Sequence, residues 1–170
     1  MAWTEAKIAN ALSKSFENRA LLIVPNTSWP GSECDVLAIA KNLKPIDFEI
    51  KISRSDLKAD LAKDKWWGGK PWSPRRRVRA WTEAWPRNIW KHYYVLPASI
   101  WTPELTEHLP PTSGILKLHE DGRYAGGVQI IVERRAVPNR EAKPIEAHDA
   151  INIGRLASLR YWQLRVKGES

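Results

Sequence analysis

The chain has 170 residues, 43% hydrophobic and 27% charged, a balance that excludes wholesale disorder and suits one folded domain spanning 1–170. Its formal net charge of +8 favours polyanionic partners, nucleic acid ahead of an anionic membrane surface, since no long basic amphipathic helix dominates. Cys34 is the one cysteine, the first residues carry no apolar signal segment, and no window approaches the roughly 20 apolar residues of a membrane span, so a cytoplasmic protein, of a bacterium or of a phage in its host, is expected.

Residues 4–18 read as a helix, with Thr4 as N-cap and Ile8, Leu12 and Phe16 at helical spacing. Leu21–Val24 is a short apolar run that should stop at Pro25, as a strand would, and residues 26–32 carry turn chemistry. A second strand is predicted over Cys34–Ala40 and a third over Asp47–Ile52, joined through the turn at 41–46. Ser53 or Ser55 caps a following helix at about 55–65, whose apolar side is Leu57 and Leu61. Residues 66–91 change character: six of the ten tryptophans lie there beside Lys70, Arg75, Arg76, Arg77, Arg79, Arg87 and Lys91, opposed by Glu83 alone. This is read as a basic, tryptophan-rich insertion with a short helix around 78–85. Beyond it come a strand at Tyr93–Leu96 ended by Pro97, a short helix near 103–108, strands at 115–118 and 128–132, and a helix over 145–165 within a C-terminal extension, 125–170. The alternation is that of a mixed α/β protein built on a central sheet; strand order is not legible from it.

The chemistry concentrates in Glu33-Cys34-Asp35-Val36-Leu37-Ala38-Ile39 and Asp47-Phe48-Glu49-Ile50-Lys51-Ile52. Side chains alternate faces along a strand, so Phe48, Ile50 and Ile52 share one face and Asp47, Glu49 and Lys51 the other. If the two strands form a hairpin, Asp35 comes close to Glu49. Two carboxylates on a partly buried sheet repel each other, and burial disfavours their charge. A divalent cation relieves both penalties, and hard oxygen donors suit Mg2+ or Mn2+. Lys51 adds a positive charge beside that cation. A Lewis acid, an activated water and charge stabilisation are what phosphodiester hydrolysis requires.

On these residues the chain resembles the PD-(D/E)XK nuclease superfamily, with Asp35 at the motif aspartate and Glu49-Ile50-Lys51 at the (D/E)-X-K tripeptide. Extended through Ser53-Arg54-Ser55-Asp56-Leu57-Lys58-Ala59-Asp60, Lys65-Trp66 and Tyr93-Tyr94-Val95-Leu96-Pro97, it is similar to small bacterial and phage nucleases related to the MmcB-type DNA-repair proteins. The likeness covers roughly residues 4–120; the insertion departs from the compact pattern, and cysteine rather than proline precedes Asp35. The resemblance implies a restriction-endonuclease-like α/β core, a central mixed sheet flanked by helices. It implies Mg2+ held by Asp35, Glu49 and the carbonyl of Ile50, with Lys51 positioning the attacking water. It also implies an assisting glutamate on the first helix, for which Glu5 is the candidate because it shares a helix face with Ile8 and Leu12. The expected activity is DNA cleavage, endonucleolytic in mode; no residue distinguishes DNA from RNA.

Other residues are read more plainly. Arg54 with Ser53 could meet a phosphate at a helix N-terminus, and Lys70, Arg75, Arg76, Arg77 and Arg79 are the expected nucleic-acid contacts, with tryptophans available to stack on bases. Glu33 and Asp56 read as surface charges. His92, His108, His119 and His148 lack zinc-ligand spacing and read as surface or internally satisfied histidines. The rival functions are a non-catalytic DNA-binding module of the same fold and a phage accessory or assembly protein.

Overall fold

The computed structural model describes residues 2–60, 85, 86 and 88–168. Most of the basic, tryptophan-rich insertion, including Lys70, Arg75, Arg76, Arg77 and Arg79, lies outside the described residues, as do the expected helix beyond Asp60 and nearly all of the one expected around 78–85.

Helix α1 (Glu5–Phe16) begins where Thr4 accepts a hydrogen bond from Lys7 N–H, and it buries Ile8, Ala11 and Leu12. The strands follow as β1 (Ala20–Thr27), β2 (Cys34–Ala40), β3 (Pro45–Ile50), β4 (Lys91–Pro97), β5 (Gly114–Glu120) and β6 (Val128–Arg134). They form one six-stranded mixed sheet in sequential order β1-β2-β3-β4-β5-β6. The pairs β1–β2, β2–β3 and β5–β6 are antiparallel, and β3–β4 and β4–β5 are parallel. Helix α2 (Arg54–Asp60) follows β3, and helix α3 (Ala147–Gly168) closes the chain. The residues near 103–108 form a 3-10 helix rather than an α-helix.

Two boundaries and one helix face differ from expectation for physical reasons. Pro25 does not end β1; it pairs with Val36, and β1 is an edge strand, where a missing N–H is tolerated. The third strand forms over Pro45–Ile50, two residues early. The chain stays tied to the sheet for one residue more, through Lys51 N–H donating to Val95 O at 2.9 Å, before Ser53 Oγ accepts Asp56 N–H and opens α2. In α3, Ile153 is buried but Leu159 and Leu164 are exposed, so the apolar positions do not all meet the core.

The sheet separates two apolar layers. On one face α1 packs its Ile8 and Leu12 against Val36, Phe48, Ile50, Val95 and Leu118. The other face carries two smaller clusters: Val24, Leu37 and Ile39 with Ile153 of α3, and Tyr94, Leu96 and Ile115 with Leu57 of α2 and Leu105. Between these two clusters lies the polar centre.

Candidate functional site

Cross-strand register builds the centre. Leu37, Asp47 and His92 stand side by side on β2, β3 and β4, and one step along Glu49 stands beside Tyr94, which neighbours Ile115 on β5. Alternation along β3 turns Phe48 and Ile50 to the α1 layer, which leaves Asp47 and Glu49 on the other face. Both are buried, as are Lys51, Asp60 and His92.

The β2–β3 ladder ends at Val36–Phe48. One residue farther along β2, the Asp35 side chain takes over from the main chain, and its Oδ2 accepts the N–H of Ile50 at 2.7 Å. The expected hairpin is thus present, and it brings Asp35 to the Glu49–Ile50 peptide. Strict alternation fails at the start of β2, where Cys34 packs with Leu37 and Ile39 rather than with Val36; the ladder to β3 no longer holds the pleat there.

Lys51 is the hub of the polar centre. Its Nζ lies 2.7 Å from Glu49 Oε1, 3.5 Å from Asp60 Oδ1 and 3.7 Å from Asp56 Oδ1. Asp60 is held in turn by Tyr94, whose hydroxyl donates to Oδ2 at 2.8 Å. Burial, and then the neighbouring Asp60 carboxylate, push the Tyr94 hydroxyl well above the usual tyrosine range, so it stays a proton donor. Asp47, Glu49 and Asp60 are all at or below 1% exposure, and Lys51, buried as well, lies within ion-pair distance of Glu49 and Asp60. Buried carboxylates are costly unless cations, protons or hydrogen bonds offset their charge.

Asp47, Glu49 and His92 supply a second arrangement. One ligand atom from each lies within 4.8 Å of the others, a cluster of the kind that holds a metal ion. His92 Nδ1 is 2.9 Å from Ser113 Oγ, and its Nε2 is 3.8 Å from Asp47 Oδ2. The donor chemistry of this polar centre, carboxylates with one imidazole in a buried setting, fits a divalent cation.

No family model and no curated protein matches the chain. Among solved structures it is similar to the SPO1766 protein of unknown function from Silicibacter pomeroyi, with a TM-score of 0.57 and 19% identity over 96% of this chain and 90% of that one. At that identity the likeness shows the fold alone.

Of the residues expected from sequence, Asp35, Glu49, Ile50 and Lys51 are gathered in one place. Glu5 is not on the buried side of α1; it is exposed, and α1 packs on the sheet face opposite Glu49. A carboxylate at the margin of an apolar helix face keeps its hydration. Arg54 is exposed at the start of α2, and its Nε donates to Ile100 O at 2.9 Å. Three participants were not singled out from sequence. Asp60 reaches Lys51 from α2 and Tyr94 reaches Asp60 from β4, and His92 is of the internally satisfied kind, buried beside Asp47 with Nδ1 at Ser113 Oγ. The parallel β3–β4 pairing sets His92 beside Asp47 and Tyr94 beside Glu49, and no spacing within a single segment announces it.

Proposed function

We propose that this protein is a divalent-metal-dependent nuclease that hydrolyses phosphodiester bonds of DNA, endonucleolytically. The observation that carries the reading is the junction at the end of the β2–β3 ladder, where Asp35 reaches Ile50 and the buried Glu49–Lys51 pair follows directly. Asp35 and Glu49, with the carbonyl of Ile50, are the residues that would hold Mg2+ or Mn2+. A cation bound there supplies a Lewis acid for the phosphoryl oxygen and lowers the pKa of a bound water.

The chain's own contribution centres on Lys51. Carboxylates of Glu49, Asp56 and Asp60 surround its ammonium, so it is fixed before substrate arrives and loses little freedom on reaction. It orients the attacking water and meets the negative charge that develops on the phosphate. Asp60 and Tyr94 keep the ammonium in place. The net charge of +8 and the exposed Arg54 support a polyanionic substrate.

The test is incubation of purified protein with supercoiled plasmid, linear duplex, single-stranded DNA and RNA, each with Mg2+, Mn2+ or EDTA. Nicking of the circular plasmid with metal and none in EDTA is expected. Protein that binds DNA but leaves every substrate intact would be a binding module instead.

A further inference from the structure

We infer that Asp47, Glu49 and His92 form a second cation site, mixed in oxygen and nitrogen donors, that takes a first-row transition dication such as Mn2+ in preference to Mg2+. The site shares Glu49 with the centre proposed above but does not depend on that centre cutting DNA.

Geometry comes first. Asp47 and His92 are direct neighbours across the parallel β3–β4 pair, and Glu49 lies two residues along the same face. The 3.8 Å between His92 Nε2 and Asp47 Oδ2 is too long for a hydrogen bond. It is within the span of two ligand atoms that each lie about 2.0–2.2 Å from a common ion. Glu49 gives Oε1 to Lys51, and its carboxylate has a second oxygen.

The histidine is also oriented from outside the cluster. Its Nδ1 meets Ser113 Oγ, which fixes the ring with Nε2 toward Asp47. Ser113 is itself anchored, because the Arg134 guanidinium donates to Ser113 O and to Pro110 O, both at 2.8 Å. Metal-bound histidines are commonly oriented in this way through the other ring nitrogen. The set Ser113–His92–Asp47 also has the order of a hydrolytic triad, but Ser113 is fully buried and the 3.8 Å from His92 Nε2 to Asp47 Oδ2 exceeds a hydrogen bond.

Donor type and burial then choose the ion. Mg2+ favours oxygen donors in octahedral geometry and keeps several waters. All three residues here are at or below 1% exposure, which leaves little access for a hydration shell. An imidazole donor moves the preference to transition metals, and Mn2+ accepts carboxylate as readily.

The probe is Mn2+ alone, added to the full-length protein without DNA and followed by pulsed electron paramagnetic resonance and by competition with Mg2+. The site predicts imidazole nitrogen coupling to bound Mn2+ in the wild type and in Asp35→Asn, and its loss in His92→Gln. Mn2+ should bind at least about ten-fold more tightly than Mg2+. Because His92 is buried and its replacement risks misfolding, Ser113→Ala is the second variant; releasing the ring should weaken Mn2+ binding about ten-fold. Bound Mn2+ without nitrogen coupling in the wild type, or no bound Mn2+, overturns the inference. So does Mn2+ affinity unchanged in Ser113→Ala but lost in Asp35→Asn. Failure of the nuclease reading looks different: intact nitrogen coupling in a protein that cuts nothing.

Discussion

The ion pairs around Lys51 make its neighbours sensitive to small changes. Tyr94→Phe removes one hydroxyl, the donor to Asp60 Oδ2, and leaves a buried carboxylate short of a partner. A hydrogen bond to a charged group contributes about 1.5–3 kcal/mol, and urea unfolding should show a loss of that size. The pH dependence follows from the same contact. Tyr94's pKa is raised in the folded protein, so the stability it contributes is complete below the ordinary tyrosine value near 10 and is lost as pH rises through the higher folded value. Alkaline denaturation monitored by circular dichroism should therefore begin at higher pH in Tyr94→Phe, relative to its own neutral stability. Two juxtapositions were legible: alternation along β3 puts Glu49 and Lys51 on one face, and the hairpin-length gap brings Asp35 to the Ile50 N–H. His92 was not, since its contact with Asp47 joins segments 45 residues apart through a parallel pairing that leaves no local periodicity.

Two elements decide how the centre is held. Helix α2 carries Asp56 and Asp60 to Lys51, and it starts at Ser53, whose hydroxyl accepts Asp56 N–H at 3.1 Å. Ser53→Ala should cost about 1 kcal/mol of stability, the usual loss for an N-cap, and chemical denaturation measures it. Strand β5 is positioned by Gly114. A Cβ there would collide with the Tyr93 ring and lie 2.7 Å from the Ala136 nitrogen, while Tyr93 stacks on Phe48 with centroids 5.8 Å apart. Gly114→Ala should destabilise by about 1–3 kcal/mol through overpacking, seen as a lowered Tm. Sequence patterns located each of the six strands, since turn residues and apolar runs bound them. They misjudged edges where tertiary context rules. An edge position lets β1 run through Pro25, and α3 leaves Leu159 and Leu164 exposed because it meets the described sheet mainly through Ile153.

Across the whole molecule, the sheet divides two kinds of work: the α1 face is an apolar floor, and the opposite face carries the polar centre between α2 and α3. No helix among the described residues is long and apolar enough to cross a membrane. With a net charge of +8, binding to duplex DNA in EDTA should weaken steeply with salt, on the order of 10³-fold between 50 and 200 mM if six or more phosphates are neutralised; fluorescence anisotropy reads it. Fold class was legible from the order of elements, but strand order was not, because sequence spacing alone does not say which strands pair across the long 51–90 connection.

In the proposed nuclease the charge of Asp35, and not merely its hydrogen bond to Ile50, serves phosphodiester cleavage. Asp35→Asn keeps an acceptor for the Ile50 N–H and removes only the negative charge. Plasmid nicking by this variant and by wild type, in Mg2+ and in Mn2+ at matched folded fraction, is the most direct measurement. Wild type should nick the plasmid only with metal, and Asp35→Asn should lose at least about 100-fold in rate. Equal rates for the two proteins, or the same nicking in EDTA, would contradict it.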